Sequence, residues 1–124
     1  MLNRLFDVPY HQLKNFPQAN MFNTKVDGQW QSLSTQEFLA QAMQLSKALY
    51  HMGVVAGDRI AVASTNRYEW NILDIAVQQV GAVLVPLYPT ISAKDYAYIL
   101  NDCAAEYMFV GNQEIADKII EVKP

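Results

Sequence analysis

Cysteine is almost absent from this 124-residue chain. The single Cys103 permits no internal disulfide and no multi-cysteine metal site, so the composition points to a reducing compartment, with the cytoplasm as the default. Histidine is nearly as scarce. His11 and His51 stand far apart, neither lies in an H-E-x-x-H or comparable ligand spacing, and no metal site is expected. With five glycines in all, neither G-x-G-x-x-G nor G-x-x-x-x-G-K-[ST] can be written anywhere, and Gly53 and Gly57 read as turn residues between a helix and a strand. There is no basic run either: nine Lys and Arg against twelve Asp and Glu give a net charge of −3, which argues against a nucleic-acid footprint or an anionic membrane surface. No stretch approaches the roughly 18 uninterrupted apolar residues of a membrane span, and residues 1–7 lack the apolar core of a signal peptide. Neither secretion nor spanning is expected.

What is present is apolar and periodic. Hydrophobic residues make up 52% of the chain and charged ones only 17%, which suits one domain with much buried surface, or a surface that meets something else. Residues 1–20 read as a covering segment with a short helix over 10–16 between Pro9 and Pro17. Strands are predicted over 21–26 and 29–33, joined by Asp27-Gly28, a pair suited to a type I′ hairpin turn. Ser34-Thr35-Gln36-Glu37 has capping-box spacing, so a helix is expected over 35–52. Its stripe is Phe38, Ala42, Leu45, Leu49 and Met52, with Gly53 as its left-handed stop.

From residue 59 the pattern alternates. Apolar runs at 59–64, 82–86 and 106–110 read as parallel strands. Between them lie one helix capped by Asn66, carrying Trp70, Leu73, Val77 and Val80 and ended by Gly81, and a second started at Ser92, with Tyr96, Ile99 and Leu100 facing the core. A last helix is expected over 113–121. The predicted fold is α/β: an N-terminal hairpin and helix, then βαβαβα with a parallel sheet and right-handed crossovers, the whole forming one partial domain (1–124) divided into 1–33 and 34–124.

Ligands of open α/β sheets gather beyond the carboxyl ends of the strands. Two loops qualify. Ser64-Thr65-Asn66-Arg67 sets hydroxyls, an amide and a guanidinium at a helix N-terminus, where an anion could be received, although capping by Asn66 with a solvated Arg67 accounts for the same residues. The loop containing Tyr88, Pro89, Thr90 and Ser92 could present Tyr88 and Thr90 to a ligand, yet also serves as turn and cap. Tyr96, Tyr98, Tyr107 and Phe109 form an aromatic group with only Lys94 nearby as a base, which favours core or interface packing over nucleobase stacking. His51 is placed to complement a helix dipole, and Cys103 reads as a small buried hydrophobe.

The order of these features resembles a family. Residues 30–38, 49–53, 57–62, Asn66-Arg67-Tyr68-Glu69-Trp70 and the run 81–90 are together similar to the N-terminal part of the AMP-forming acyl-CoA synthetases. Residues 6–10 and 88–92 most resemble its long-chain fatty-acid CoA ligases. The resemblance implies the first part of the large N-terminal domain of an adenylate-forming enzyme. It implies a two-step reaction in which a fatty acid carboxylate attacks ATP with magnesium assisting, giving acyl-adenylate and pyrophosphate, after which the CoA thiol displaces AMP. It also implies that the phosphate loop, the ribose-binding Asp, the hinge and the catalytic Lys lie beyond this chain, so that no catalytic, cofactor-binding or metal residue is assigned and the fragment is expected to be inactive alone. Peripheral membrane contact would belong to the full-length enzyme. The rival reading is a free-standing flavodoxin-like interaction or regulatory module, against which stands the lack of an acidic cluster at the strand ends. As a truncated sheet, the fragment is expected to expose edges and to self-associate.

Overall fold

The computed structural model describes residues 2–122. Its first helix, α1 (Asp7–Asn15), begins ahead of the predicted 10–16 because Pro9 lies inside the first turn, where a missing N–H breaks no helical bond. Asp7 opens that turn and takes Arg4 on both oxygens, at 2.8 Å to Nη2 and 3.1 to 3.2 Å to Nε. Strands β1 (Phe22–Val26) and β2 (Gln29–Leu33) pair antiparallel with Val26 opposite Gln29. Asp27 (φ 49°) and Gly28 (φ 79°) both take the positive φ that a type I′ turn demands.

Helix α2 (Thr35–His51) starts on the expected capping box: the Glu37 amide donates to Ser34 Oγ at 3.1 Å and the Ser34 amide to the Glu37 carboxylate at 2.8 Å. Its buried face is Phe38, Leu39, Ala42, Ser46 and Leu49. Met52, expected on that stripe, is instead 54% exposed. It stands at the C-cap, where Gly53 (φ 93°) reverses the chain and brings Val54 under the helix. The Val54 amide bonds the Leu49 carbonyl (3.1 Å) and the Gly53 amide that of Tyr50 (3.0 Å), a Schellman motif in which Val54 and Leu49 share one core.

Strands β3 (Arg59–Ala63), β4 (Val83–Leu87) and β5 (Tyr107–Val110) form a parallel sheet in the order β4-β3-β5, with Leu84 and Tyr107 flanking Ile60. Helices α3 (Tyr68–Gln79), α4 (Ala93–Cys103) and α5 (Gln113–Val122) alternate with them. Because β4 and β5 lie on opposite sides of β3, right-handed crossovers must run over opposite faces. The packing follows. Ile60 and Val62 meet Leu73, Ala76 and Val77 of α3 on one face, while Ala61 and Ala63 meet Tyr96 of α4 and Ile115 of α5 on the other.

Helix α2 was expected against the sheet; it lies chiefly on α3 and meets the β3 face through the core that Leu49 and Leu45 share with Ile60 and Val62. Ser46 marks the crossing, its Oγ 2.9 Å from the Ala42 carbonyl and 2.5 Å from Gln79 Oε1; Gln79 in turn donates to the Tyr10 hydroxyl at 2.6 Å, tying α1 to the pair. The α3 cap differs from expectation as well: the N-cap is Arg67, with no side-chain bond, and Asn66 lies outside the helix. Tyr98 is 71% exposed on α4, whereas Tyr107 and Phe109 pack on the face opposite Tyr96, so the predicted aromatic group is dispersed over both sides of the sheet. Helix α3 ends as α2 does, with Gly81 (φ 77°) leading Ala82 back onto Val77. The same motif ends α4, but there Ala104 takes the left-handed position at φ 51°.

That alanine generates a prediction. A left-handed residue with a Cβ costs roughly 1–2 kcal/mol, so Ala104→Gly, at an exposed position, raises stability by about 1 kcal/mol after its extra unfolded-state entropy is deducted. Gly53→Ala lowers it by a similar amount. Urea melts check both, with opposite shifts of the midpoint at unchanged slope; equal shifts of one sign would contradict the cap geometry.

Candidate functional site

Strand order decides where a crevice opens. At β3 and β5 the crossovers leave toward opposite faces, so their carboxyl ends, Ser64–Arg67 and Gly111, border the switch point of the sheet. The two loops touch through backbone. A Cβ on Gly111 would come within 3.0 Å of Ser64 Cα, and the Gly111 amide donates to the Ala63 carbonyl at 2.9 Å. Arg67 clasps Glu69 with Nε (2.9 Å) and Nη2 (2.8 Å), and its Nη1 donates to the Gly111 carbonyl at 3.2 Å. The fork holds the Glu69 carboxyl below its ordinary range and raises the guanidinium. The cation that the sequence offers to an anion is therefore already matched by a carboxylate. Ser64 Oγ likewise turns onto its own loop, donating to the Thr65 carbonyl at 2.9 Å.

Two open clefts flank this corner. One, of about 1040 Å³, separates the β1–β2 hairpin from residues 65–71, with Lys25, Trp30 and Gln31 facing Asn66, Arg67 and Tyr68. Trp30 is 70% exposed there, and the Lys25 ammonium lies 6.0 Å from its ring centroid. The sequence gives Trp30 and Lys25 no site role, because nothing in a hairpin's own pattern says what it faces. The other cleft, of about 500 Å³, is mostly apolar and runs between α2 and the β5 side of the sheet, among Leu45, Ala48, Val62, Trp70 and Phe109.

The loop after β4 is separate. Tyr88 is 78% exposed and Thr90 is exposed, while Tyr96, fully buried beneath them, donates its hydroxyl to the Tyr88 carbonyl at 2.8 Å. Ser92 and Asp95 form a second capping box. Burial pushes the Tyr96 phenol up from its ordinary value. His11 and His51 are exposed on different helices, and Cys103 is only half-buried because it ends α4 at the margin of the core, its Sγ 3.7 Å from the Leu100 carbonyl. Among the described residues no three His, Cys, Asp or Glu side chains group closely enough to hold a metal ion, and no helix is long and apolar enough to cross a membrane.

Comparison with known proteins gives this geometry its setting. The family model for AMP-binding enzymes matches residues 10–124. The chain belongs to the AMP-binding enzyme family. The long-chain-fatty-acid–CoA ligase FadD15 of Mycobacterium bovis is 36% identical over 106 residues, which are 86% of this chain and 18% of that one. The chain thus spans less than a fifth of the length of that curated relative. Rv1549 of Mycobacterium tuberculosis is 28% identical over 89 residues, covering 72% of this chain and 50% of that one. Among solved structures, a Rhodopseudomonas palustris protein assigned as a long-chain-fatty-acid CoA ligase superposes with a TM-score of 0.83 at 32% identity, covering 97% of this chain and 29% of that one. The anthranilate CoA ligase AuaEII, at 23% identity and a TM-score of 0.81 over 95% of this chain and 22% of that one, shares the fold. The α/β sheet is thus one found in the adenylate-forming enzymes.

Tyr96 provides the test of how the β4 loop is held. Tyr96→Phe keeps the packing and loses one hydrogen bond, costing about 1 kcal/mol and releasing the 88–92 backbone to faster amide exchange. Because the folded phenol is raised, its contribution is full below the unfolded value of about 10 and is lost as the pH climbs beyond it. The Phe variant therefore loses less stability than the parent between neutral and strongly alkaline pH, read from denaturant melts. An unchanged alkaline limb would remove Tyr96 from that role.

Proposed function

We propose that this segment is the opening portion of the large domain of a long-chain fatty-acid CoA ligase. In such an enzyme a fatty acid carboxylate displaces pyrophosphate from ATP, forming acyl-adenylate, and the CoA thiol then displaces AMP. One observation carries the reading: the AMP-binding enzyme model matches nearly the whole chain, 10–124, and the long-chain ligase FadD15 is 36% identical over 106 residues. A flavodoxin-like module would share the order β4-β3-β5, so topology alone does not separate the two; the family match does.

Within that enzyme the segment's part is architectural. Residues 1–33 cover the domain with α1 and the hairpin, and 34–124 begin its α/β body. Helix α5 lies on the same face as α4, since Ile115 and Tyr96 share a core, so a right-handed continuation past α5 adds the next strand outside β5. The segment is thereby an unfinished sheet that grows in one direction. Catalysis of attack on a triphosphate needs positioned cations and backbone donors aimed at the developing charge. In this segment the guanidinium nearest the carboxyl end of a strand, Arg67, is already forked to Glu69, which supports placing the seats of ATP, magnesium and CoA in later parts of the enzyme. The acyl chain and any peripheral membrane contact fall to those parts too.

The 124-residue polypeptide alone is expected to give no fatty-acid-dependent ATP–pyrophosphate exchange, while a ligase-length chain carrying this segment exchanges and prefers a long acyl substrate over acetate or an aromatic acid. Exchange by the short polypeptide would move the catalytic groups into this segment. A preference for acetate would replace the substrate class.

A further inference from the structure

Helix α1 is held to the rest of the molecule at few points. Pro9 is its one buried residue, Leu13 packs on the cluster of Phe38, Leu39, Ala42 and Ile72, and Leu5, Val8 and Phe16 stay exposed. The Arg4–Asp7 fork joins two residues of the same segment, so it adds nothing to the docking. Two polar fixtures flank the helix. At one, Gln18 and the fully buried Thr35 clasp each other: the Gln18 amide donates to Thr35 Oγ1 at 3.1 Å and the Thr35 amide to the Gln18 carbonyl at 2.9 Å. At the other, Gln79 Nε2 donates to the Tyr10 hydroxyl while Gln79 Oε1 accepts from Ser46 Oγ. Ser46 itself lies between the Ala42 carbonyl of α2 (2.9 Å) and the Ala76 carbonyl of α3 (3.3 Å), so Tyr10 is linked through one amide to a hydroxyl buried between two other helices.

We propose that α1 is a hinged strap: residues 7–16 release as one unit about the Gln18–Thr35 clasp, the Tyr10–Gln79–Ser46 chain is the latch that keeps them docked, and the α/β body stays folded when they open. A nine-residue helix is marginal in water, so once undocked it unwinds as a whole instead of fraying from one end. Its few buried contacts set it at the low end of local stability, while β3, buried on both faces, sits at the high end. The latch acts as a series. By donating to Gln79 Oε1, Ser46 fixes which end of that amide faces Tyr10, so a deletion at either end of the chain weakens the bond at the other. Release uncovers the apolar seat of Leu13 on Phe38, Leu39, Ala42 and Ile72. Because latch and clasp both lie among the described residues, the strap stands apart from the enzymatic assignment and requires neither ATP nor acyl substrate.

Native-state hydrogen exchange of the chain at low denaturant tests this, with the β3 amides as the reference for global unfolding. The amides of residues 11–16 are expected to exchange together, faster and with a shallower denaturant slope than β3, while the Gln18 amide keeps the slow rate of the body; the step across Pro17 marks the hinge. Tyr10→Phe keeps the ring, loses the bond and speeds exchange of 11–16 about fivefold relative to β3. Ser46→Ala, bonded to α1 only through Gln79, speeds it about twofold or more, and the double variant does so by less than the product of the two. Gln78→Ala, whose amide bonds Asp74 on its own helix, leaves the rate unchanged. Residues 11–16 exchanging at the rate and slope of β3 overturn the strap, as does a Gln18 amide that opens with α1 or a Tyr10→Phe variant at the wild-type rate. Effects of Tyr10→Phe and Ser46→Ala that simply multiply overturn the series latch. The wild-type step and Tyr10→Phe decide the matter even where Ser46→Ala fails to fold.

Discussion

The structure depends on burying β3 on both faces. Ile60, Ala61, Val62 and Ala63 are each between 0 and 2% exposed, and they supply the backbone ladder that links β4 to β5. The alternation of sizes along the strand is physical, not decorative. Ile60 and Val62 project toward α3, where Leu73, Ala76 and Val77 leave room for branched side chains; Ala61 and Ala63 project toward α4, where the large Tyr96 ring needs the space an alanine leaves. A one-residue slip of β3 would exchange the two sets and overpack one face while hollowing the other. Helices on both sides are thereby fixed by four residues.

Most of this architecture can be read from local chemistry. Ser34 with Glu37, Asp27 with Gly28, and Gly53 followed by Val54 each specify a backbone geometry that only a few residue types allow, and all three appear where the sequence places them. The strands were legible because a parallel sheet demands continuous apolar runs. Departures have equally local reasons. Pro9 reads as a breaker until the helix start is moved upstream of it, and Met52 reads as core because periodicity counts one turn too many when a Schellman cap turns the chain away. The end of α4 carried no glycine to announce it, since Ala104 accepts the left-handed conformation.

The functional corner was legible in composition and opaque in pairing. Ser64, Arg67 and Gly111 can be placed at strand ends from the β-α-β order alone, but no periodicity says that Arg67 forks to a carboxylate two residues along its own chain and reaches across to the Gly111 carbonyl. Once that fork forms, the region becomes a brace between two loops instead of an open anion seat. The Arg67 network at this corner holds the carboxyl ends of β3 and β5 together.

The asymmetry of the sheet edges connects the fold to its family setting. Natural sheets protect a permanent edge with proline, charge or a bulge, because unpaired amides and carbonyls otherwise recruit another chain. Pro86 does this for β4. Nothing comparable stands on β5, although the two strands flank the same partner and differ little in length. A terminal strand would carry such protection; an interior strand would lose stability by carrying it, since proline removes a ladder bond and a buried charge must be desolvated. The sequence of β5 is therefore that of an interior strand. Its uncovered flank and the cleft beneath α2 lie along the one edge of the described sheet that carries no such protection.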